Sequence, residues 1–413
     1  MPNLDRFAAA GRIALYAAWC VVLGVSAASC DSRDGESTSN AHSTNSIPRY
    51  ELIIAPKDLR ELERNIDGDR LRPATFTAKG KEYDVKVRLR GSWARSWPKK
   101  SFKIFFEKGR EFEDNECLNL NTGWRDPAFV REPLAYHIYT ACGVPASKAQ
   151  MVELHVNGTF HGLYVEVEQP EKPFLKRHRL AGAALYKANS DQNRADERDL
   201  GSEQAFMGHY EKETRKKDGW RDLQTFCQEL AAANNDVPAF FDKNVDVARY
   251  IDFLAASALV QNWDCLNKNH FLVHDLHGSG KWQVVPWDLD RTLGDHWQGG
   301  FNSAEVPLLL GKRQLPGPTG WNRLADAFFS DKTLRQRYLD RLEALLEKEF
   351  TIEKLFPLVD QFEAAIGPLA MQDRKRWPSD AGAIHRGIQE LKDFIPRRRT
   401  FLLREIARLR QQN

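Results

Sequence analysis

The hairpin at residues 150–168 limits the possible folds of this chain more than any other stretch. An apolar strand runs into Asn157-Gly158 and a second strand returns. Both central positions of a type I′ turn need a positive φ, and asparagine and glycine adopt it most easily. On the returning strand Glu166 and Glu168 share one face, because strand side chains alternate. These two carboxylates are either solvated or directed toward a cation, and the pattern leaves both interpretations open.

Strand patterns continue upstream of this hairpin, whereas helical patterns dominate downstream. Residues 83–90 alternate apolar and charged side chains, which is typical of a half-buried strand. Helical spacing begins at Trp220, continues in the apolar segment 246–260 and returns in residues 384–410. Strands followed by helices predict an α+β fold, β-rich in its N-terminal part and mainly helical in its C-terminal part.

Shorter signals predict the ends of individual elements. Asp126-Pro127 predicts a helix start, with Asp126 as the N-cap and Pro127 at the first helical position. Gly143 is the expected residue just after the end of that helix. Residues 189–218 are charged and rich in turn formers, so we expect an irregular insertion there.

The N-terminus has the pattern of an export signal. Arg6 and Arg12 precede an uncharged run that ends in small residues before Cys30. The run is short for a membrane span, and small residues before a cysteine resemble a bacterial lipobox. Residues 1–30 are therefore predicted to be a lipoprotein-type signal peptide with Cys30 lipidated. An ordinary signal peptide or a signal anchor is the alternative.

This start predicts an exported protein of the cell envelope, held to a bacterial membrane by its N-terminal lipid. Residues 31–48 are rich in Ser, Thr, Asn and Asp, and we expect a flexible linker there. The formal net charge is only +3, so charge gives no argument for nucleic-acid binding. The six cysteines lack zinc-site spacing, and one disulfide among the last four stays open.

A polar constellation lies at residues 262–294, at the edges of two strand-like apolar runs. Asp264 and Asn269 are five residues apart, the offset between the base Asp and the metal-binding Asn of the protein-kinase catalytic loop. Asp288 and Asp290 follow on the second run, where kinases keep an Mg²⁺ ligand. If residues 282–290 are extended, these two carboxylates share a face.

Three basic positions are candidates for holding phosphate. Arg90 begins an Arg-Gly-Ser turn, and Lys100 stands at the start of the next strand. Backbone N–H groups in such a turn and lysine ammoniums both favour anions, although solvated edge charges are the alternative. Lys187 ends a short apolar strand; kinases hold nucleotide phosphates with such a lysine and pair it with a Glu.

Four segments, taken in order, resemble the CotH family of spore-coat kinase-like proteins. They are residues 88–92 with 99–103, residues 156–168, residues 185–187, and residues 262–269 with 286–294. The resemblance implies an atypical protein-kinase-like fold that uses ATP and Mg²⁺, with a β-rich N-terminal lobe at 49–188 and a helical C-terminal lobe at 189–413. The Gly-rich phosphate loop and the His-Arg-Asp triplet of ordinary kinases are missing from the sequence.

The resemblance also implies roles for the matching positions. Asp264 would accept or orient the proton of the substrate hydroxyl. Asn269 and Asp288 would hold Mg²⁺, and Asp290 is a second candidate ligand. Nucleotide phosphate would be bound by Lys187, paired with Glu168 or Glu166, and by Arg90 and Lys100.

The predicted function is an exported kinase that transfers the γ-phosphate of ATP to a protein Ser or Thr or to another hydroxyl acceptor. Two alternatives remain: a non-catalytic envelope scaffold that keeps the fold, and transfer of AMP. We expect the segments 189–218 and 295–320 to decide the choice of acceptor.

Overall fold

The computed structural model describes residues 47–189, 195–233, 236–262, 264–265, 267–295, 304–306 and 322–411. The predicted signal peptide with Cys30, nearly all of the linker, and most of the segment 295–320 lie outside the described residues. Within the described ranges, every helix is too short or too polar to cross a membrane.

A closed seven-stranded barrel forms the N-terminal part, in the order β1-β2-β3-β4-β5-β7-β6. The strands are β1 (Arg49–Ile54), β2 (Arg72–Ala78), β3 (Lys81–Arg90), β4 (Ser101–Phe106), β5 (Cys117–Asn121), β6 (Ala149–Val156) and β7 (Thr159–Glu168). Asn157 and Gly158 have φ values of 51° and 76°, so the predicted type I′ turn is confirmed. Tyr50, Phe76 and Phe112 pack edge to face in the barrel core.

Strand alternation gives the barrel an apolar interior and a polar outer face. Val85, Val87 and Leu89 of β3 are buried in the barrel core. Arg88 and Arg90 alternate with them and line the large cleft outside the barrel. The pattern read from residues 83–90 therefore predicted which β3 side chains point away from the barrel core.

The helices next to the barrel are α1 (Pro56–Arg64), α2 (Arg131–Ala141) and α3 (Lys172–Arg177). The predicted start of α2 is wrong by several residues, because Phe129 has a φ of 64° and interrupts the turn. Asp126 instead stabilises the turn that precedes the helix. Its carboxylate accepts hydrogen bonds from the backbone N–H groups of Ala128 and Arg131, both at 2.9 Å. Gly143 follows the helix end with a φ of 90°, as expected.

A second sheet has the order β11-β10-β8-β9. Its strands are β8 (Ala184–Ala188), β9 (Tyr210–Lys212), β10 (His270–His274) and β11 (Trp282–Pro286). The boundary predicted between residues 188 and 189 falls inside this sheet, because β8 pairs with β9 and β10. The segment 189–218 is also more regular than expected, since it contains β9 and the short helix α4 (Glu203–Met207).

The remaining chain is mainly helical, which confirms the α+β class. The helices are α5 (Arg221–Ala232), α6 (Val237–Asn244), α7 (Val247–Val260), α8 (Arg323–Ser330), α9 (Lys332–Lys348), α10 (Ile352–Arg376) and α11 (Ile384–Gln411). Helix α7 is buried along most of its length, and Asp246 caps its start through the N–H of Arg249 at 3.2 Å. Because α7 ends at Val260, it leads directly into the loop that carries Asp264. The four cysteines in the described part are buried and form no disulfide.

A fully buried ion pair joins helix α10 to the barrel. The Lys99 Nζ lies 2.6 Å from Asp373 Oδ2, and both side chains are 0% exposed. The same ammonium donates to the carbonyls of Thr122, at 2.8 Å, and Leu163, while Asp373 accepts from the Leu163 N–H at 2.8 Å. Gly162 has a φ of 149°, and a Cβ there would overlap the Asp373 carboxylate. Burial lowers the pKa of Lys99 to about 8, against the opposing attraction of Asp373.

Candidate active site

A cleft of about 1000 Å³ is lined by the outer face of β3–β5 together with residues of the second sheet and its loops. Six of the residues predicted to form the site line this cleft: Asp264, Asn269, Asp288, Asp290, Arg90 and Lys187. The sequence therefore identified side chains that are far apart along the chain and that the fold brings to one cavity.

The loop before β10 holds Asp264 through both carboxylate oxygens. Asn269 Nδ2 donates to Asp264 Oδ2 at 2.9 Å, and Lys268 Nζ lies 3.1 Å from Asp264 Oδ1. Asn269 has a φ of 56°, in the left-handed region that asparagine tolerates better than most residues. Because the carboxamide nitrogen of Asn269 donates to Asp264, the oxygen Oδ1 is the atom of this side chain that could bind a cation. Burial raises the pKa of Asp264, and the Lys268 ammonium opposes that rise.

The hairpin β10–β11 brings Asp288 to the same end as Asn269. His270 pairs with Pro286, and the Trp287 N–H donates to the Asn269 carbonyl at 3.1 Å. The expectation of an extended chain through residue 290 is wrong, because β11 ends at Pro286 and Asp288 has a φ of 57°. A turn, rather than strand alternation, directs Asp288 and Asp290 into the cleft.

Burial and the repulsion between neighbouring carboxylates both act on the acidic side chains at this end of the cleft. The pKa of Asp290 is raised well above its usual range, first by burial and then by the charge of Asp288, while Arg291 opposes the rise. Closely placed carboxylates of this kind favour a bound cation. Mg²⁺ prefers carboxylate and amide oxygens, and it takes few protein ligands when phosphates complete its shell.

This donor set fits Mg²⁺ held together with a nucleotide better than a metal held by the protein alone. Across the described ranges, no group of three or more His, Cys, Asp or Glu side chains is arranged to hold a metal ion. Asn269 and Asp288, with Asp290 nearby, supply carboxamide and carboxylate oxygens at one edge of an open cleft. Phosphate oxygens and water would supply the remaining ligands.

The predicted pairing of Lys187 with Glu166 or Glu168 is not present. Lys187 Nζ lies 3.5 Å from Glu211 Oε2 on the neighbouring strand β9. Glu166 accepts a hydrogen bond from the Tyr50 hydroxyl at 2.6 Å, and Glu168 accepts from the Lys148 N–H at 2.9 Å. The reason is topological: Lys187 belongs to the second sheet, whereas both glutamates belong to the barrel. Neither glutamate lines the cleft.

Of the two other predicted phosphate contacts, one faces the cleft and one does not. The Arg90 guanidinium lies 5.8 Å from the centroid of the Trp287 ring, next to the hairpin end that carries Asp288. Lys100 instead donates to the carbonyls of Arg95 and Trp97, at 2.7 and 2.6 Å. Its ammonium thus stabilises the 93–97 loop and does not line the cleft.

Two cleft residues, Lys103 and Glu132, were missed by the sequence analysis. Lys103, on β4, lies between the buried Phe102 and Ile104, so strand alternation gave a usable signal for its outward direction. Glu132 is the second residue of the buried helix α2, and Asn121 Nδ2 lies 2.8 Å from each of its oxygens. Burial raises the pKa of Glu132 to about 7, and the charge of Asp288 adds to the rise. Acidic residues are common in the first turn of a helix, so no sequence signal distinguished Glu132.

The buried His270 contacts two backbone carbonyls of the loop that carries Asp264. Its Nδ1 lies 3.0 Å from the Cys265 carbonyl and 2.9 Å from the Lys268 carbonyl, while its Nε2 lies 2.9 Å from Glu197 Oε1. The Ala195 N–H donates to the Asn267 carbonyl at 3.1 Å. Residues 195–197 of the insertion therefore help to fix the position of the loop.

We expect Asp288→Asn to raise the stability of the protein without added metal while removing its response to Mg²⁺ with nucleotide. The change relieves the repulsion between Asp288 and Asp290, and improved charge placement commonly adds about 0.5–2 kcal/mol to the free energy of unfolding. Urea denaturation with and without Mg²⁺ and a nucleotide measures both effects. The exposed Asp242 of α6 gives a matched control, Asp242→Asn, which should change neither. A D288N protein that is less stable without metal would show that Asp288 has a structural partner instead.

Comparison with known proteins agrees with the resemblance of the four segments. The family model described as CotH kinase protein matches residues 87–402. The inner spore coat protein H of Bacillus subtilis (strain 168) is 29% identical over 333 residues, covering 79% of this chain and 89% of that protein. An inner spore coat protein H-like protein of the same strain is 24% identical over 303 residues, covering 72% of this chain and 84% of that protein.

Among solved structures, the Helicobacter pylori proinflammatory kinase CtkA shows 11% identity and a TM-score of 0.26, covering 70% of this chain and 94% of that one. A likeness of this size supports no inference about function. The family model is different, because it spans the cleft, the Asp264 loop and the helices that follow. The chain therefore belongs to the CotH kinase protein family.

Proposed function

We propose that this protein is a Mg²⁺-dependent phosphotransferase that moves the γ-phosphoryl group of ATP to a hydroxyl acceptor, a protein Ser or Thr in the first instance. One observation carries the proposal. Asp264 and Asn269 are hydrogen-bonded to each other at the hairpin end that also presents Asp288 to the cleft. Phosphoryl transfer requires the protein to position the reactants and to neutralise charge, and it requires little covalent chemistry. This arrangement supplies the positioning and the charge neutralisation.

Each side chain has a role that follows from its position. Asp264 receives the proton of the acceptor hydroxyl through a carboxylate oxygen. Asn269 Oδ1 and Asp288 would hold the metal, with Asp290 as a second candidate ligand. A bound Mg²⁺ would neutralise charge on the β- and γ-phosphates. Arg90 and Lys187 line the same cleft and bind phosphate oxygens as cations.

The cellular location of the protein is proposed from the pattern of residues 1–30. We propose an exported protein of the cell envelope, anchored through a lipid on Cys30, whose acceptor is found outside the cytoplasm. The family relationship supports kinase chemistry and with it a hydroxyl acceptor, and the pattern of residues 1–30 supports the location. The alternatives remain a non-catalytic scaffold and transfer of AMP.

Labelled ATP separates these functions directly. We expect label from the γ-phosphate, and none from the α-phosphate, to appear covalently on a Ser-rich model acceptor such as casein or on the protein itself when Mg²⁺ is present. Mass spectrometry of the product should show the addition of one phosphate. Chelation of the metal and the Asn269→Ala change should both abolish labelling, and Asp242→Asn should preserve it. Transfer of the α-label would establish AMP transfer, and an absence of both labels would favour the scaffold.

A further inference from the structure

A single imidazole holds two backbone carbonyls of the loop that carries Asp264. His270 is 1% exposed, and its Nδ1 lies 3.0 Å from the Cys265 carbonyl oxygen and 2.9 Å from the Lys268 carbonyl oxygen. Carbonyl oxygens only accept hydrogen bonds, so Nδ1 carries a proton that it shares between the two. One N–H group thereby joins the residue after Asp264 to the residue before Asn269.

The other ring nitrogen of His270 is held by a buried carboxylate. Nε2 lies 2.9 Å from Glu197 Oε1, and Glu197 is also 1% exposed. The Glu197 N–H donates to the Tyr210 hydroxyl at 3.1 Å, and Asn322 Nδ2 donates to the second carboxylate oxygen. Glu197 has a φ of 58°, a left-handed conformation that a residue other than glycine keeps only where its surroundings fix it. The carboxylate is therefore a fixed partner that sets the orientation of the ring.

The backbone next to Glu197 contacts the same loop. The Ala195 N–H donates to the Asn267 carbonyl at 3.1 Å, between the two carbonyls that His270 contacts. The Arg323 N–H at the start of α8 donates to the Asp196 carbonyl at 2.9 Å. The segment 195–197 is thus fixed to a helix on one side and holds the loop on the other.

Stability alone is a weak reason for a carboxylate and an imidazole at this depth. Removing two polar partners from water costs free energy, and well-packed apolar residues in place of a buried ion pair often leave a protein equally stable or more stable. An apolar pair at positions 197 and 270 would fill the space, but it would offer no donor to the loop carbonyls. The N–H directed at the loop is what this pair adds.

We propose that His270 is a positioning residue for phosphoryl transfer, whose Nδ1–H fixes the loop so that Asp264 meets the acceptor hydroxyl in the geometry for transfer. Glu197 orients the ring for this role. The inference rests on the proposed function. His270 acts through the backbone, since its ring faces the loop carbonyls and Glu197. Its loss should act on the chemical step, because a displacement of about 1 Å at a catalytic group can lower the rate by about 10²-fold.

Two double variants separate the N–H group from the burial of charge. Glu197→Leu removes the buried carboxylate from both. His270→Asn then places a carboxamide nitrogen where the imidazole has Nδ1, whereas His270→Leu has a similar size and no donor. We expect kcat for γ-phosphate transfer to casein to be about tenfold or more higher in Glu197→Leu/His270→Asn than in Glu197→Leu/His270→Leu, as is usual for a group that orients a catalytic side chain. The dissociation constant for Mg²⁺·ATP should differ less than about threefold between them, because the nucleotide contacts proposed for Arg90, Lys187 and Asp288 lie outside this loop.

The far end of the same strand supplies a matched control. His274 Nδ1 lies 2.9 Å from Asp222 Oδ2, a second pair of an imidazole and a carboxylate on β10. The same changes there, Asp222→Leu with His274→Asn or with His274→Leu, should give equal kcat values.

Thermal unfolding shows whether each variant is folded. If a double variant does not fold, the single change His270→Gln decides, because its amide nitrogen takes the place of Nε2 beside Glu197 and leaves no donor at Nδ1. Its kcat should fall by about tenfold or more, and a wild-type kcat in this variant would overturn the inference.

Equal kcat values in the two folded double variants would also overturn the inference, and γ-phosphate transfer by the wild type would still leave the proposed function standing. If the wild type transfers no phosphate, the proposed function fails. Amide hydrogen exchange of the Asp264 loop then decides whether His270 positions it. Faster exchange in Glu197→Leu/His270→Leu than in Glu197→Leu/His270→Asn would support this positioning, and equal exchange would refute it.

Discussion

Replacing Asp264 with asparagine is expected to lower the rate of phosphoryl transfer by about 10²–10⁴-fold, the usual contribution of a general base. Asparagine keeps the shape of the side chain but cannot take a proton from the acceptor hydroxyl. Steady-state transfer of the γ-phosphate with saturating Mg²⁺·ATP measures the effect, and Asp242→Asn is the matched control on an exposed helix position. A D264N protein that transfers phosphate at the wild-type rate would remove Asp264 from the mechanism.

Asp264 also determines in which direction the transfer rate changes with pH. Burial raises the pKa of Asp264 above its ordinary value of 3.8, and only the ionised carboxylate accepts a proton. The transfer rate should therefore fall as the pH decreases through this raised pKa, at a higher pH than an exposed aspartate would give. A bound cation should move the limb of the profile for the enzyme–nucleotide complex to lower pH, because positive charge favours the carboxylate.

Replacing Lys99 with methionine is expected to lower the free energy of unfolding by about 3–5 kcal/mol, since it leaves the Asp373 carboxylate buried without its cation. Asp373→Leu should cost a comparable amount. The double variant should be less destabilised than the sum of the two single changes, because neither charge then remains in the interior. Urea denaturation of the three variants and the wild type completes the thermodynamic cycle.

A solvent-exposed pair provides the control for this prediction. Lys243 Nζ lies 2.8 Å from Glu229 Oε2, with side chains 67% and 34% exposed. Lys243→Met should cost about 1 kcal/mol or less, as surface ion pairs usually do. If Lys99→Met is equally mild, the Lys99–Asp373 pair does not hold α10 against the barrel.

Local patterns in the sequence predicted the parts of the fold that local chemistry controls. The Asn157-Gly158 turn, the strand pattern of residues 83–90 and the buried helix ahead of Asp264 lie where the patterns placed them. Asp264 and Asn269 also lie within hydrogen-bond distance of each other, because both residues belong to one short loop. In each case the determining interactions are between residues close in sequence.

Pairings between distant segments could not be predicted in this way. The partner of Lys187 is Glu211, because β8 joins β9 rather than the barrel. Glu132 of α2 lines the cleft next to the end of β5, where Asn121 Nδ2 donates to its carboxylate, and this contact joins residues of two separate elements. Asp288 has a left-handed backbone conformation, so it does not follow the alternation of a strand. The sequence Pro-Trp-Asp contains no signal that predicts this conformation.

A titration with ATP and Mg²⁺, followed through the free energy of unfolding, measures whether the cleft binds the nucleotide together with the metal. We expect stabilisation of the wild type by about 2.7 kcal/mol at a nucleotide concentration one hundred times the dissociation constant. That stabilisation should require Mg²⁺ and should be lost in Asp288→Asn. Equal stability with and without Mg²⁺·ATP would contradict a phosphotransfer site in this cleft and would favour an envelope scaffold.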